Sequence, residues 1–127
     1  MNMLRVYLLV NTFLYLLFAV LCIAKPMGTA NTLGYSFLNN SGRAEYLSIY
    51  TGLESGFAIF LAICAFSPRL SLGGLIFLVC IYAGVMIIRP VCALCYGNML
   101  TVTWLAGALE WALGIWGIIL LAGELRK

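Results

Sequence analysis

Four stretches of about twenty apolar residues divide the chain, and they constrain its fold more than any motif in it. They run from about Leu4 to Ala24, Tyr46 to Phe66, Leu70 to Ile88 and Asn98 to Leu121. An α-helix needs about 20 residues to cross the roughly 30 Å of hydrocarbon in a bilayer. Runs of alternating polarity, the mark of a membrane β-barrel, are absent. Charge use agrees, since only 9% of the residues are charged, against about a quarter in a soluble domain. So few charges cannot cover a water-facing surface. The expected fold class is all-α: an integral membrane four-helix bundle, antiparallel, with the N and C termini on the same side. Residues 1–127 form a single transmembrane domain, and its obligatory partner is the lipid bilayer. The first run is read as a retained helix, because its apolar core is longer than that of a signal peptide and no Ala-x-Ala-like site follows it.

The connections differ in kind. SPRL, with Pro68 as breaker, joins the second run to the third in a tight turn. KPMGTANTLGYSFLNNSGRAE joins the first to the second and is expected to lie along the membrane surface, with Tyr35, Phe37 and Leu38 dipping toward lipid. RPVCALCYG joins the third to the fourth, with Arg89 closing the third helix. Both termini and Arg69 fall on one side. That side carries Arg5, Arg69, Arg126 and Lys127, against Lys25, Arg43 and Arg89 on the other. The excess favours cytoplasmic termini. The long connection and the cysteine motif then face outward, which for a bacterial inner membrane is the periplasm. A net charge of +3 with no window rich in Lys or Arg leaves no case for nucleic acid. The absence of histidine removes the commonest metal ligand and the usual Ser/His and Cys/His nucleophile pairs.

Two carboxylates lie within the runs. Glu54 is about 12 Å along the second helix and Glu110 about 18 Å along the fourth, so both sit at comparable depth below the same face. An ionised carboxylate at the bilayer centre costs at least ~2.5 kcal/mol. These groups are expected to turn inward, with Arg89 bending down to them and Tyr50 one turn from Glu54. Gly107, Glu110, Gly114, Gly117 and Leu121 share one face of the fourth helix, where small residues let a neighbour approach. Gly52 and Gly56 give the second helix another such patch. These glycine faces would permit a homo-oligomer or a place in a larger membrane complex. One arginine neutralises one carboxylate, so the other is expected to hold a proton or meet a cationic or hydrogen-bonding ligand. Two readings follow: a polar pocket made of Glu54, Arg89, Glu110 and Tyr50, or a buried pair that only fixes helix packing.

YTGLESGFAIFLA, the arginine near the end of the third run, and ALEWALG resemble a family of small bacterial four-helix membrane proteins of unknown function, related to the DoxX-like proteins. The resemblance covers the chain from about Lys25-Pro26 onward. It implies a four-helix membrane bundle with Glu54, Arg89 and Glu110 as its polar positions. It implies no activity, and it gives no role to Cys92 or Cys95.

Of five cysteines, Cys22, Cys64 and Cys80 lie within apolar runs, where Cys acts as a small hydrophobe. Cys92 and Cys95 form a Cys-x-x-Cys. VCALCY, with Arg89 nearby, is similar to the reactive dithiol of four-helix enzymes that pass electrons from thiols to quinone. It departs from them in lacking a second cysteine pair, because the segment from Lys25 to Glu45 has none. Arg89 and the start of the fourth helix could stabilise a thiolate. A metal site is not expected, since two thiolates leave a tetrahedral ion short of ligands. The function expected is a non-catalytic accessory or small-molecule-binding module needing no cofactor. The alternative is a dithiol–quinone oxidoreductase using Cys92 and Cys95, with quinone as cofactor. A third class, a transporter, is weakest because no inverted repeat is visible.

Overall fold

A computed structural model describes residues 2–126; Lys127, counted above among the charges of the terminal side, lies outside them. Among the described residues the chain is all-helical, with no strand. Helix α1 spans Met3–Ala24 and is capped by Asn2, whose side chain accepts from the Leu4 N–H. A short α2, Pro26–Leu33, begins with proline at its first turn and ends at Gly34 in the left-handed region. Helix α3 spans Asn40–Phe66; its Asn39 cap accepts from the Gly42 N–H at 2.9 Å. Helices α4, Ser71–Tyr96, and α5, Thr101–Glu124, complete the chain. Four of these, α1, α3, α4 and α5, are long and apolar enough to cross a membrane.

The helices form a bundle in which α1 packs most extensively on α3, and α4 on α5. Along the α1–α3 seam residue numbers rise on one helix as they fall on the other. Tyr15 meets Phe57 edge-on at 5.6 Å, the Thr51 hydroxyl donates to Ala19 O, and Cys22 meets the Tyr46 hydroxyl. Large apolar side chains such as Phe13, Ile59 and Ile119 stay more than 60% exposed on the outside. A water-soluble bundle would bury such a surface.

The interior is filled at both ends. Near the start of α1 lies a core of Tyr7, Leu8, Leu61, Cys64, Leu75, Leu78, Tyr82 and Leu113. At the other end α2 covers a second cluster of Cys22, Ala30 and Tyr46, with Phe37 and Tyr50 against it. Tyr35 and Phe37 pack edge-on against Tyr46 at 5.7 and 5.2 Å, and Phe37 is half-buried there, while Tyr35 keeps 47% of its surface exposed and Leu38 94%. The long connection is thus largely helical, a lid rather than a loop.

Helix ends depart most from expectation. The third helix does not close at Arg89 but runs on for about two turns, through Pro90 and both cysteines, to Tyr96. Pro90 removes one i→i−4 hydrogen bond, yet nothing in VCALCY forces a turn. The stop comes at Gly97 and Asn98, both at positive φ (61° and 42°), with the Gly97 N–H donating to Ala93 O. Glycine tolerates that backbone without a Cβ clash. The fourth helix consequently starts at Thr101 and ends at Glu124 instead of spanning 98–121. The second starts at Asn40, because Asn39 supplies a cap well before the first bulky apolar residue. The Ser67–Leu70 turn is as short as expected, closed by Leu70 N–H to Ser67 O at 3.0 Å.

Candidate functional site

Between the two filled ends the bundle holds a partly open cavity of about 470 Å³, lined by residues of all four long helices and of the α2 lid. Glu54 and Tyr50 reach it from α3, Arg89 from α4 and Glu110 from α5. All four residues singled out from the sequence therefore line one cavity.

Arg89 and Glu110 form a bidentate pair across the α4–α5 seam. The Arg89 Nε donates to Glu110 Oε2 at 2.7 Å, and Nη2 donates to Oε1 at 2.6 Å. Such fork-to-fork bonds are among the strongest a protein makes. Gly107, one turn before Glu110, makes the geometry available: a Cβ there would lie 2.9 Å from Arg89 Cδ. Arg89 reaches Glu110 sideways from within α4 rather than bending down from a helix end. The same glycine stripe serves the chain's own packing further along, since a Cβ at Gly114 would meet Met86 and Tyr82, and one at Gly117 the Tyr7 ring.

Glu54 is placed differently. Among the described residues it makes no hydrogen bond and no ion pair, while it lies close enough to Glu110 to interact with it electrostatically. Tyr50, one turn before Glu54, makes no hydrogen bond to it; the Tyr50 hydroxyl pairs with that of Tyr35 at 2.8 Å. The cause is local winding. Ser48–Leu53 forms a π-helical turn, and the Glu54 N–H reaches back to Ile49 O. The wider turn places Tyr50 toward the lid and Glu54 toward the cavity. Single π-turns inside α-helices recur at functional sites.

Several wall residues carry signals that the reading of charges passes over. Tyr15 and Tyr82 line the cavity beside the carboxylates. Beneath them Asn11 is fully buried: its Nδ2 donates to Tyr7 O at 2.8 Å, and its Oδ1 accepts from the Tyr82 hydroxyl at 2.5 Å. Tyr7 in turn donates to Leu113 O at 3.0 Å. Tyr7, Asn11 and Tyr15 stand four apart in α1, one face of a helix, and that row is the signal. Tyr35 has no such signature, because only the turn at Gly34 brings it onto Tyr50.

Cys92 and Cys95 are outside this cavity. Both occupy the last turns of α4, at its carbonyl end. They are free thiols; Cys95 is exposed, and Cys92 borders a second cavity, of about 440 Å³, whose wall also includes Arg89 and Thr103. Among the described residues no three His, Cys, Asp or Glu side chains gather as metal ligands. No protein-family model, no curated protein and no solved structure matches the chain.

Proposed function

We propose that this chain is a multi-pass membrane protein, an antiparallel four-helix bundle with both termini in the cytoplasm of a bacterial cell, whose central cavity binds a small molecule. Its role is that of a non-catalytic binding or accessory module. The observation that carries this reading is the unequal state of three charges around one cavity. Arg89 is held by Glu110 through two bonds, whereas Glu54 faces the space without a partner. A pair serving helix packing alone needs Arg89 and Glu110 and nothing more. A third charged group at this depth is costly, and intramembrane ionisable residues mark ligand or ion sites. The volume also falls within the roughly 300–1,000 Å³ of small-molecule pockets. The resemblance of YTGLESGFAIFLA and ALEWALG to DoxX-like four-helix proteins is in keeping with this reading.

The test is equilibrium dialysis of the protein in lipid nanodiscs against aromatic amines, alcohols and carboxylates. Ala106→Phe, which fills the cavity from α5, is the control. At least one class should bind the wild type and lose binding to the filled variant. Equal binding by both proteins across all three classes would overturn the proposal.

A second reading, a dithiol–quinone oxidoreductase, draws support from Cys92 bordering a cavity beside Arg89. It requires dithiol-dependent quinone reduction that disappears in Cys92→Ser/Cys95→Ser.

A further inference from the structure

Resting on the binding reading above, we propose that the cavity takes an organic cation, an amine or quaternary ammonium with an apolar body, its charge held at Glu54. Three observations converge on this class.

The first is charge. The cavity wall holds two carboxylates and one guanidinium, and the guanidinium is already committed. What remains is one negative group. An anion would find no free positive partner and would face Glu54 in a medium of low dielectric, where like charges repel strongly. A neutral ligand would be matched only with Glu54 protonated, whereas a cation pairs with it ionised.

The second is the wall itself. Tyr15, Phe18, Tyr35, Tyr50 and Tyr82 line the same cavity as Glu54. Aromatic faces attract cations through the ring quadrupole, and cages of such rings are the recurring receptors for quaternary ammonium groups. The Tyr35–Tyr50 hydroxyl bond and the edge-on contact of Phe18 with Tyr50 at 6.0 Å hold several of these rings in place before any ligand arrives. Preorganisation of this kind lowers the entropy lost on binding.

The third is size. A bare inorganic cation wants six or more oxygen ligands at about 2–2.6 Å. A cavity of about 470 Å³ with one free carboxylate offers neither that number nor that closeness. An organic cation brings its own bulk and needs one counter-charge.

The experiment compares three benzyl probes on the protein in nanodiscs: benzyltrimethylammonium, its isosteric uncharged carbon analogue neopentylbenzene, and the smaller anion phenylacetate. Binding is followed by competition with the tightest aromatic amine from the dialysis panel and by direct calorimetry. Benzyltrimethylammonium should bind at least about tenfold more tightly than either other probe. Glu54→Gln, which keeps the side chain's size, should remove about that factor, and Glu54→Asp should restore part of it. Thermal melting of each variant establishes that it is folded. Neopentylbenzene or phenylacetate binding as tightly as the cation, and still blocked by Ala106→Phe, would overturn the cation assignment and leave the binding module standing. Cation binding indifferent to Glu54→Gln would likewise overturn it. If no probe distinguishes the wild type from Ala106→Phe, both proposals fall.

Discussion

Arg89 and Glu110 meet edge to edge across the α4–α5 seam, each side chain about three-quarters covered, with Gly107 leaving the space through which the arginine passes. The two charges depend on one another, because either one alone would be stranded in a low dielectric. Arg89→Leu should therefore destabilise the protein by about 3 kcal/mol or more. Arg89→Leu/Glu110→Gln should lose clearly less than the two single changes added together. Chemical unfolding in detergent, run as a double-mutant cycle, measures this. Strict additivity would mean that the pair is not coupled.

Glycines of the bundle should sort by what stands opposite them. A Cβ at Gly117 would lie 2.5 Å from the Tyr7 hydroxyl, and one at Gly74 would lie 2.7 Å from Cys64 Cβ. Gly117→Ala and Gly74→Ala should each cost about 1–3 kcal/mol through overpacking. Gly56 and Gly84 have nothing within 4 Å, so alanine there should be neutral or stabilise by up to about 1 kcal/mol through helix propensity. Melting temperatures of the four variants decide it, and a Gly74→Ala protein as stable as Gly84→Ala would contradict the packing described.

Asn11 offers a sharper test of polar burial. Asn11→Leu leaves the Tyr82 hydroxyl without its acceptor, which should cost about 1–3 kcal/mol. Adding Tyr82→Phe removes the stranded donor and should recover much of that loss. Failure of the second substitution to rescue the first would show that the amide's role is shape, not hydrogen bonding.

Thiol chemistry reports on topology. Cys22 and Cys64 are fully buried, whereas Cys95 is exposed at the end of α4. With cytoplasmic termini, an impermeant maleimide applied to intact cells should modify Cys95 while leaving Cys22 and Cys64 unreacted until the protein is denatured. Modification of Cys95 only after lysis would reverse the orientation. Cys92→Ser/Cys95→Ser should melt within about 0.5 kcal/mol of the wild type, as expected of positions outside any buried network.

The existence of the four long helices is legible in the sequence because hydropathy summed over about twenty residues is insensitive to where a helix ends. The ends themselves are not. Pro90 carries a strong local breaker signal just after the third run, but one lost hydrogen bond in a long apolar helix is tolerated, and the chain turns only where Gly97 and Asn98 accept positive φ. Glu54, Glu110 and Arg89 are readable as inward-facing because charge in an apolar run has few other places to go. Which carboxylate holds the arginine is not readable, since it depends on Gly107 lying opposite Arg89 across two helices. The tyrosine wall is hidden for a related reason: Tyr35 enters it from a connecting segment, placed by a fold-back that no single-helix pattern encodes.

The wide turn at Ser48–Leu53 sets an angle. An α-helix advances about 100° per residue, and a π-turn absorbs an additional residue without passing that rotation on to its flanks. Deleting one residue between 48 and 53 would let the helix close into regular winding. The segment 40–47 would then keep its phase relative to Glu54–Phe66, with Tyr46 still on Cys22 and Thr29, whereas deleting a residue from the regular winding after Glu54 would swing the two parts by about 100°. Lid and floor are thus kept in phase by the wide turn itself, and the protein would register the loss of a single codon there as a tightening of one turn, not as a rotation of the lid.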